Sequence, residues 1–306
     1  MAPETTAAAA AGSWTLGDLP VNRIGFGAMR LPQTGEAFAP DALPRDRDQA
    51  IGVLRHAVEL GVDHVDTAAF YFSRLRSANE LVNRALAPYP DGLVIATKVG
   101  PRRDPVTAQL PMASPQQLRG DVEENLRQLG RDHLDVVNLR VGGPGPIADH
   151  FGALAELREA GLIRHLGLSN VRPEHLAEAR GIAPVVCDQN SYGLGYRRRQ
   201  DEFVRTCGEQ GIAFVPFFAI AGARRETGAG GSDHDEVLAI ARAHQATATQ
   251  IRLAWAVHRG PHVLVIPGTG DPAHLADNVA AGRQRLTEDE LTRLERVHGE
   301  EPEPPG

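Results

Sequence analysis

A short, continuous apolar run, then a polar loop, then an amphipathic stretch of helical period recurs along this chain, and that alternation constrains its fold more than any other feature. A run without polar alternation is a strand buried on both faces, and strands are buried that way in parallel sheets whose crossovers are helices. Eight such runs can be counted, at 24–29, 64–68, 93–99, 134–140, 163–170, 185–192, 213–218 and 262–268. The helices between them are marked by their ends. In 114–130, Ser114 is placed to cap, Pro115 to open the first turn, Gln117 to complete a capping box and Gly130 to stop the helix, with Leu118, Val122, Leu126 and Leu129 on one stripe. The stretch 48–60 repeats the logic with Ile51, Leu54 and Val58 inward and Gly61 as its stop. Eight units in about 250 residues predict an α/β fold of the (β/α)8 TIM-barrel type, with a doubly wound sheet as the alternative.

Two additions flank this frame. Residues 14–20 read as a hairpin closing the barrel floor, and 287–297 as an extra C-terminal helix with Leu291, Leu294 and Val297 inward. The expected organisation is a disordered tail over 1–12, one barrel domain over 13–298 and a loose acidic, proline-rich tail over 299–306. The Gly-rich segment 221–236 after the seventh run reads either as a cover over the site or as a tolerated insertion.

Composition narrows the partners. Lys and Arg total 32 against 39 for Asp and Glu, a net charge of −7, which argues against binding a phosphate backbone. The basic run 196–200 reads as a solvated face. Cys187 and Cys207 cannot build a disulfide framework, which suits a reducing compartment, and no run approaches the roughly 18 apolar residues of a membrane span. With no basic, apolar leader at the N-terminus, a cytoplasmic protein is expected. The 12 histidines show no metal-ligand spacing, so no metal is expected. GxGxxG, phosphate-loop and HExxH patterns are missing, and no motif speaks to oligomeric state.

In a barrel, chemistry gathers at the C-terminal strand ends. Asp66, Lys98 and Arg140 end the second, third and fourth runs, and Tyr71 follows Asp66 by five residues. A lysine beside a phenol favours phenolate, and a carboxylate holds the lysine, which together make a proton donor. The alternative is a structural Asp66–Lys98 ion pair with Tyr71 packed over it, and a barrel hydrolase or isomerase could also use the pair.

From Trp14 to Val297 the chain resembles the aldo-keto reductase family. The resemblance rests on DTAAFY at 66–71, ATKVG at 96–100, GLSN at 167–170, DQNSY at 188–192 and IPGTGDPAHLADN at 266–278. It implies reduction of an aldehyde or ketone by NADPH rather than NADH, with Tyr71 as the acid and Lys98 and Asp66 tuning it. It also implies that Ser169, Asn170 and Gln189 hold the nicotinamide carboxamide and Phe217 stacks on the ring. Gly27, Ala28 and Met29 would line the cofactor, Gly268 and Thr269 would meet the 2′-phosphate, and Asp277 and Asn278 would reach the adenine. Three positions depart from the family pattern. Arg140 stands where a histidine is usual, an arrangement similar to the branch that includes bacterial pyridoxal reductases; guanidinium can donate to a carbonyl oxygen but stays charged. His274 replaces a phosphate-binding arginine, which narrows the NADPH preference. Ala219 replaces a proline, so the loop after it can run differently, with Arg224 or Arg225 either approaching the pyrophosphate or solvated. A nicotinamide-binding regulatory module with slow turnover is the second reading of the same cleft.

Overall fold

Because successive side chains of a strand face opposite ways, each buried run contributes to two apolar layers. The structure is a computed structural model describing residues 6–35, 38, 42–107, 109–195, 200–220 and 234–297. Its inner layer packs Val94, Ala96, Val136, Cys187, Ala213 and Leu264 against one another, while Ile95, Val137, Leu139, Leu166 and Leu168 face the helices.

The chain begins with an antiparallel hairpin, β1 (Ser13–Leu16) and β2 (Leu19–Asn22). Gly17 supplies the φ of 68° at the tip, and Leu16 and Val21 enter the inner layer as the floor predicted from sequence. The barrel strands follow: β3 (Phe26–Gly27), β4 (His64–Asp66), β5 (Val94–Val99), β6 (Leu134–Arg140), β7 (Ile163–Ser169), β8 (Val185–Gln189) and β9 (Ala213–Phe214). They pair in parallel and in chain order. The eighth run forms no extended strand. It closes the barrel through single bridges, Phe214 with Val263 and Ile24 with Val265, fastened by Leu264 N to Phe214 O, Val265 N to Arg23 O and Gly25 N to Val265 O, each 2.9 Å. The fold is therefore the eight-fold barrel, with one thinly paired seam.

The helices are α1 (Arg47–Glu59), α2 (Ala78–Leu86), α3 (Leu118–Leu129), α4 (Ala148–Glu159), α5 (Pro173–Arg180), α6 (Asp201–Glu209), α7 (Asp235–Ala243), α8 (Ala248–His258), α9 (Pro272–Ala280) and α10 (Glu288–Leu294). Their ends follow the predicted signals with small shifts. Asp46 caps α1 by accepting from Gln49 N at 2.8 Å, which starts that helix at Arg47. A 3₁₀ turn over Pro115–Gln117, with Ser114 N donating to Gln117 Oε1 at 2.9 Å, leads into α3, and Gly130 ends it at φ 64°. The extra C-terminal helix forms as α10, with Leu294 and Val297 buried.

One expectation is corrected. Residues 6–12 are not a disordered tail: Ala8 is fully buried, Ala8 N donates to Leu60 O at 3.2 Å, and Ala9–Ala11 form a 3₁₀ turn. Small side chains let this segment lie flush, for a Cβ on Gly282 would meet Ala7 O at 3.0 Å and Ala11 Cβ at 3.3 Å. Arg224, Arg225 and most of the Gly-rich segment, most of the basic run, and the tail from residue 298 lie outside the described residues.

Candidate active site

The two-residue period that fills the barrel interior also selects the groups at its mouth. Lys98 stands above Ala96 and Val94 on β5, Gln189 above Cys187 on β8, and Arg140 two residues beyond Asn138 on β6. Together with Asp66, Tyr71, Met29 and Phe217 they line a cavity of 260 Å³ at the C-terminal ends of the strands. A broader open groove at the other end of the barrel, between Trp14 and α6, is lined by paired surface charges such as Arg205–Glu209 at 2.7 Å and Arg259–Asp201 at 3.6 Å, and holds no comparable reactive set.

Lys98 Nζ donates to Asp66 Oδ1 at 2.5 Å and to the Thr67 carbonyl at 3.2 Å, and lies 5.0 Å from the Tyr71 ring centroid. Asp66 Oδ2 accepts from Gln189 Nε2, also at 2.5 Å. Lys98, Asp66 and Tyr71 are all at most 7% exposed. Burial works against the Lys98 ammonium, but the Asp66 carboxylate and Tyr71 outweigh it and raise the lysine pKa above its ordinary value. The ion pair is thus not an exposed rim contact: it is a fixed positive charge under a phenol that opens on a cavity. A buried pair adds little net stability for what its desolvation costs, which fits a functional site better than a structural brace.

Arg140 is half-buried. Its Nη1 makes a long contact to Ser169 Oγ, 3.4 Å, and its guanidinium lies 5.3 Å from the Phe217 ring centroid. Asp66, the carboxylate of the cavity lining, is engaged by Lys98 and Gln189, and among the described residues no carboxylate comes within ion-pair distance of Arg140. Its charge is therefore directed at the cavity.

Another part of the site is built from small backbone and amide groups. A Cβ on Gly27 would stand 2.7 Å from Ile266 O, and one on Gly268 would stand 2.5 Å from Gly27 O, so two bare backbones meet across the seam and form one wall. Ser169 and Gln189 pair across β7 and β8, and Asn170 follows at φ 58° with its Nδ2 donating to Val141 O at 2.9 Å. Gln189 Oε1 is buried with no hydrogen-bond partner. That orphaned acceptor, beside Ser169 and under a phenylalanine face, fits a carboxamide-bearing ring, whose NH₂ would satisfy it.

Seven of the sequence-assigned residues stand outside the cavity lining, Ser169 and Asn170 among them. Ala28 is buried behind Gly27 and Met29, and Thr269 follows Gly268, its Oγ accepting from Asp271 N at 3.0 Å. His274 and Asp277 are exposed on α9, and Asn278 is buried. The N-terminus of α9 is capped by the chain's own Asp271, which accepts from Ala273 N at 2.8 Å and His274 N at 3.2 Å; those amides hold its carboxyl below the usual range. Among the described residues a cation stands at this turn in Arg45, whose Nη1 donates to Gly270 O at 3.4 Å and whose guanidinium occupies the space a Cβ on Gly270 would need. Arg45 and the cavity residue Phe38 had no signal beyond residue type, because they sit in loops without period, whereas Phe218, also in the cavity, ends the seventh run.

Residues 23–298 match the profile of the Aldo/keto reductase family. The chain is 44% identical over 295 residues to a pyridoxine 4-dehydrogenase of Escherichia coli (strain K12), covering 94% of this chain and 99% of that protein. It is 35% identical over 289 residues to an uncharacterized oxidoreductase of Schizosaccharomyces pombe, covering 94% and 90%. Among solved structures, an aldo/keto reductase from Klebsiella pneumoniae in complex with NADP and acetate superposes with a TM-score of 0.75 at 27% identity, covering 90% of this chain and 91% of that one.

Proposed function

The chain belongs to the aldo/keto reductase family of NAD(P)H-dependent oxidoreductases, and on that premise we propose that it reduces an aldehyde or ketone with NADPH, Tyr71 delivering the proton to the carbonyl oxygen. The observation that carries this reading is the buried contact of Lys98 Nζ with Asp66 beneath the Tyr71 ring, facing a cavity. When bound, the nicotinamide supplies the hydride; the residues supply position and proton. Gln189 and Ser169 would hold the carboxamide, and Phe217 would offer the ring a face. Lys98, kept charged by Asp66, stabilises the phenolate left after proton transfer. Arg140 donates to the carbonyl oxygen and orients it, while the proton itself comes from Tyr71 because a guanidinium stays charged.

Preference for NADPH is supported by the NADP complex of the Klebsiella relative and by Arg45 at the turn 268–271. The substrate we favour is an aromatic aldehyde of the pyridoxal type. The name of the E. coli relative supports it, as do the phenylalanines of the cavity. The test is Tyr71→Phe, which removes only the transferable proton. NADPH titration by fluorescence should be unchanged while kcat falls about 10²- to 10⁴-fold; a variant keeping more than about a tenth of wild-type kcat places the proton source elsewhere.

A further inference from the structure

The substrate side of the cavity is walled by Phe38, in the loop after β3, whose ring lies 5.8 Å from the Tyr71 ring at an interplanar angle of 31°. Phe38 has φ 66°, a left-handed backbone that a bulky side chain keeps only when its surroundings hold it there. Arg103, in the loop after β5, does the holding. Its Nη2 donates to Phe38 O at 2.9 Å, and its Nη1 donates to Phe72 O in the loop after β4. The same guanidinium lies over both rings, with Cζ 5.1 Å from the Phe38 centroid and 4.6 Å from the Phe72 centroid. One side chain thus fastens three βα loops at the barrel mouth. Among the described residues no carboxylate pairs with it, so its charge is engaged by two carbonyls and two ring faces. A planar fork can serve two acceptors and stack at once, which a lysine cannot.

We propose that Arg103 is a positioning residue that sets substrate preference: by fixing Phe38 against Tyr71 it favours a carbonyl carried on a flat aromatic ring over a small aliphatic one. Arg103 acts through Phe38, and the proposal rests on the carbonyl-reductase reading of the site. Aromatic pairs gain from a fixed face, whereas a two- or three-carbon aldehyde gains little from one.

The test compares pyridine-4-carbaldehyde with propanal in wild type, Arg103→Met, Arg103→Lys and Phe38→Leu. In Arg103→Met the KM for the aromatic aldehyde should rise about tenfold, the scale on which a lost pocket contact acts. Its kcat, the kcat/KM for propanal and the NADPH affinity should stay within about twofold, the fluctuation expected when a contact is not involved. Arg103→Lys should recover part of the loss. Phe38→Leu should reproduce it, and the double variant should lose no more than either single one, as residues acting as a unit do. Amide exchange around Phe38 and Phe72 should accelerate together in Arg103→Met. Equal loss on both aldehydes, or no change on either, overturns the proposal. Wild type inactive on both would instead sink the carbonyl-reductase reading. The positioning role would then stand or fall on binding of pyridine-4-carbaldehyde followed by NMR, with unchanged binding in Arg103→Met overturning it.

Discussion

Asp188 precedes Gln189 on β8 and, by the two-residue period, turns away from the cavity toward the helices. It is fully buried and neither carboxylate oxygen has a hydrogen-bond partner, so burial pushes its pKa well above the ordinary value. A carboxyl whose folded pKa is raised does no harm below its unfolded pKa of about 3.9, and costs stability at about 1.4 kcal/mol per pH unit as pH rises beyond it. Asp188→Asn should therefore match wild type in melting temperature near pH 4 and gain on it progressively toward pH 7, followed by scanning calorimetry; a constant difference across that range would show that the carboxyl is charged in the fold. Arg140 makes the complementary case, a charge with an outlet. Arg140→Ala should lower kcat/KM by about 10²-fold, on the scale of one lost oxyanion donor, with melting temperature nearly unchanged, and Arg140→His should restore part of the rate. Loss of folding in the alanine variant would make the arginine a structural counter-ion. Both residues were legible to different degrees. A charge that ends an apolar run announces that it needs an outlet, which is why Asp66, Lys98 and Arg140 could be singled out. Asp188 sits inside such a run and is marked only by its type.

Behind the site, a ladder of buried amides joins helices to strands. Thr67 Oγ donates to Asn79 Oδ1 at 2.8 Å, Asn79 Nδ2 to Asn125 Oδ1 at 2.9 Å, Thr97 Oγ to the same Asn125 oxygen at 2.6 Å, and Asn125 Nδ2 to Asp121 O at 2.8 Å. All four side chains are fully buried. The ladder locks α2 and α3 onto β4 and β5 at the residue after Asp66 and the residue before Lys98, so it sets how those two side chains meet. Asn125→Ala strands two buried donors, at about 1–3 kcal/mol each, and should lower unfolding free energy by about 2–5 kcal/mol in urea; a loss under about 1 kcal/mol would mean water takes the amide's place. The signals bounding α3, from Ser114 to Gly130, were readable because capping depends on residues close in sequence, whereas Asp46, which caps α1, lies outside the stretch read from its period. Strand extent was less so. Pro216 and Pro267 have no N–H to give the ladder, so the seventh run, which still pairs with the sixth through Phe217 N to Asn190 O, bridges the eighth only at Phe214, and the eighth run is reduced to bridges. Apolar content alone hides that interruption.

Taken as a whole, the molecule carries its chemistry at one end of the barrel and its floor at the other. Leu16→Ala removes a floor side chain that is 2% exposed, and should cost about 2–5 kcal/mol in stability by urea unfolding. NADPH affinity should be unchanged, and a parallel loss of both would mean the two ends are coupled. The hairpin was foreseeable from its position ahead of the first run. The packing of residues 6–12 was not, because alanines carry no period that says which surface will receive them. Pairing around the barrel is uneven. From β5 to β8 neighbouring strands share four, six and four register pairs, whereas the seam is crossed at Phe214–Val263 and Ile24–Val265. Lys98, Arg140 and Ser169 hang from those well-laced strands; Gly27 and Gly268 face each other at the seam. The barrel is in this sense a hoop with a buckle, closely laced where Lys98, Arg140 and Ser169 sit and fastened by single bridges where the proposed cofactor would lie.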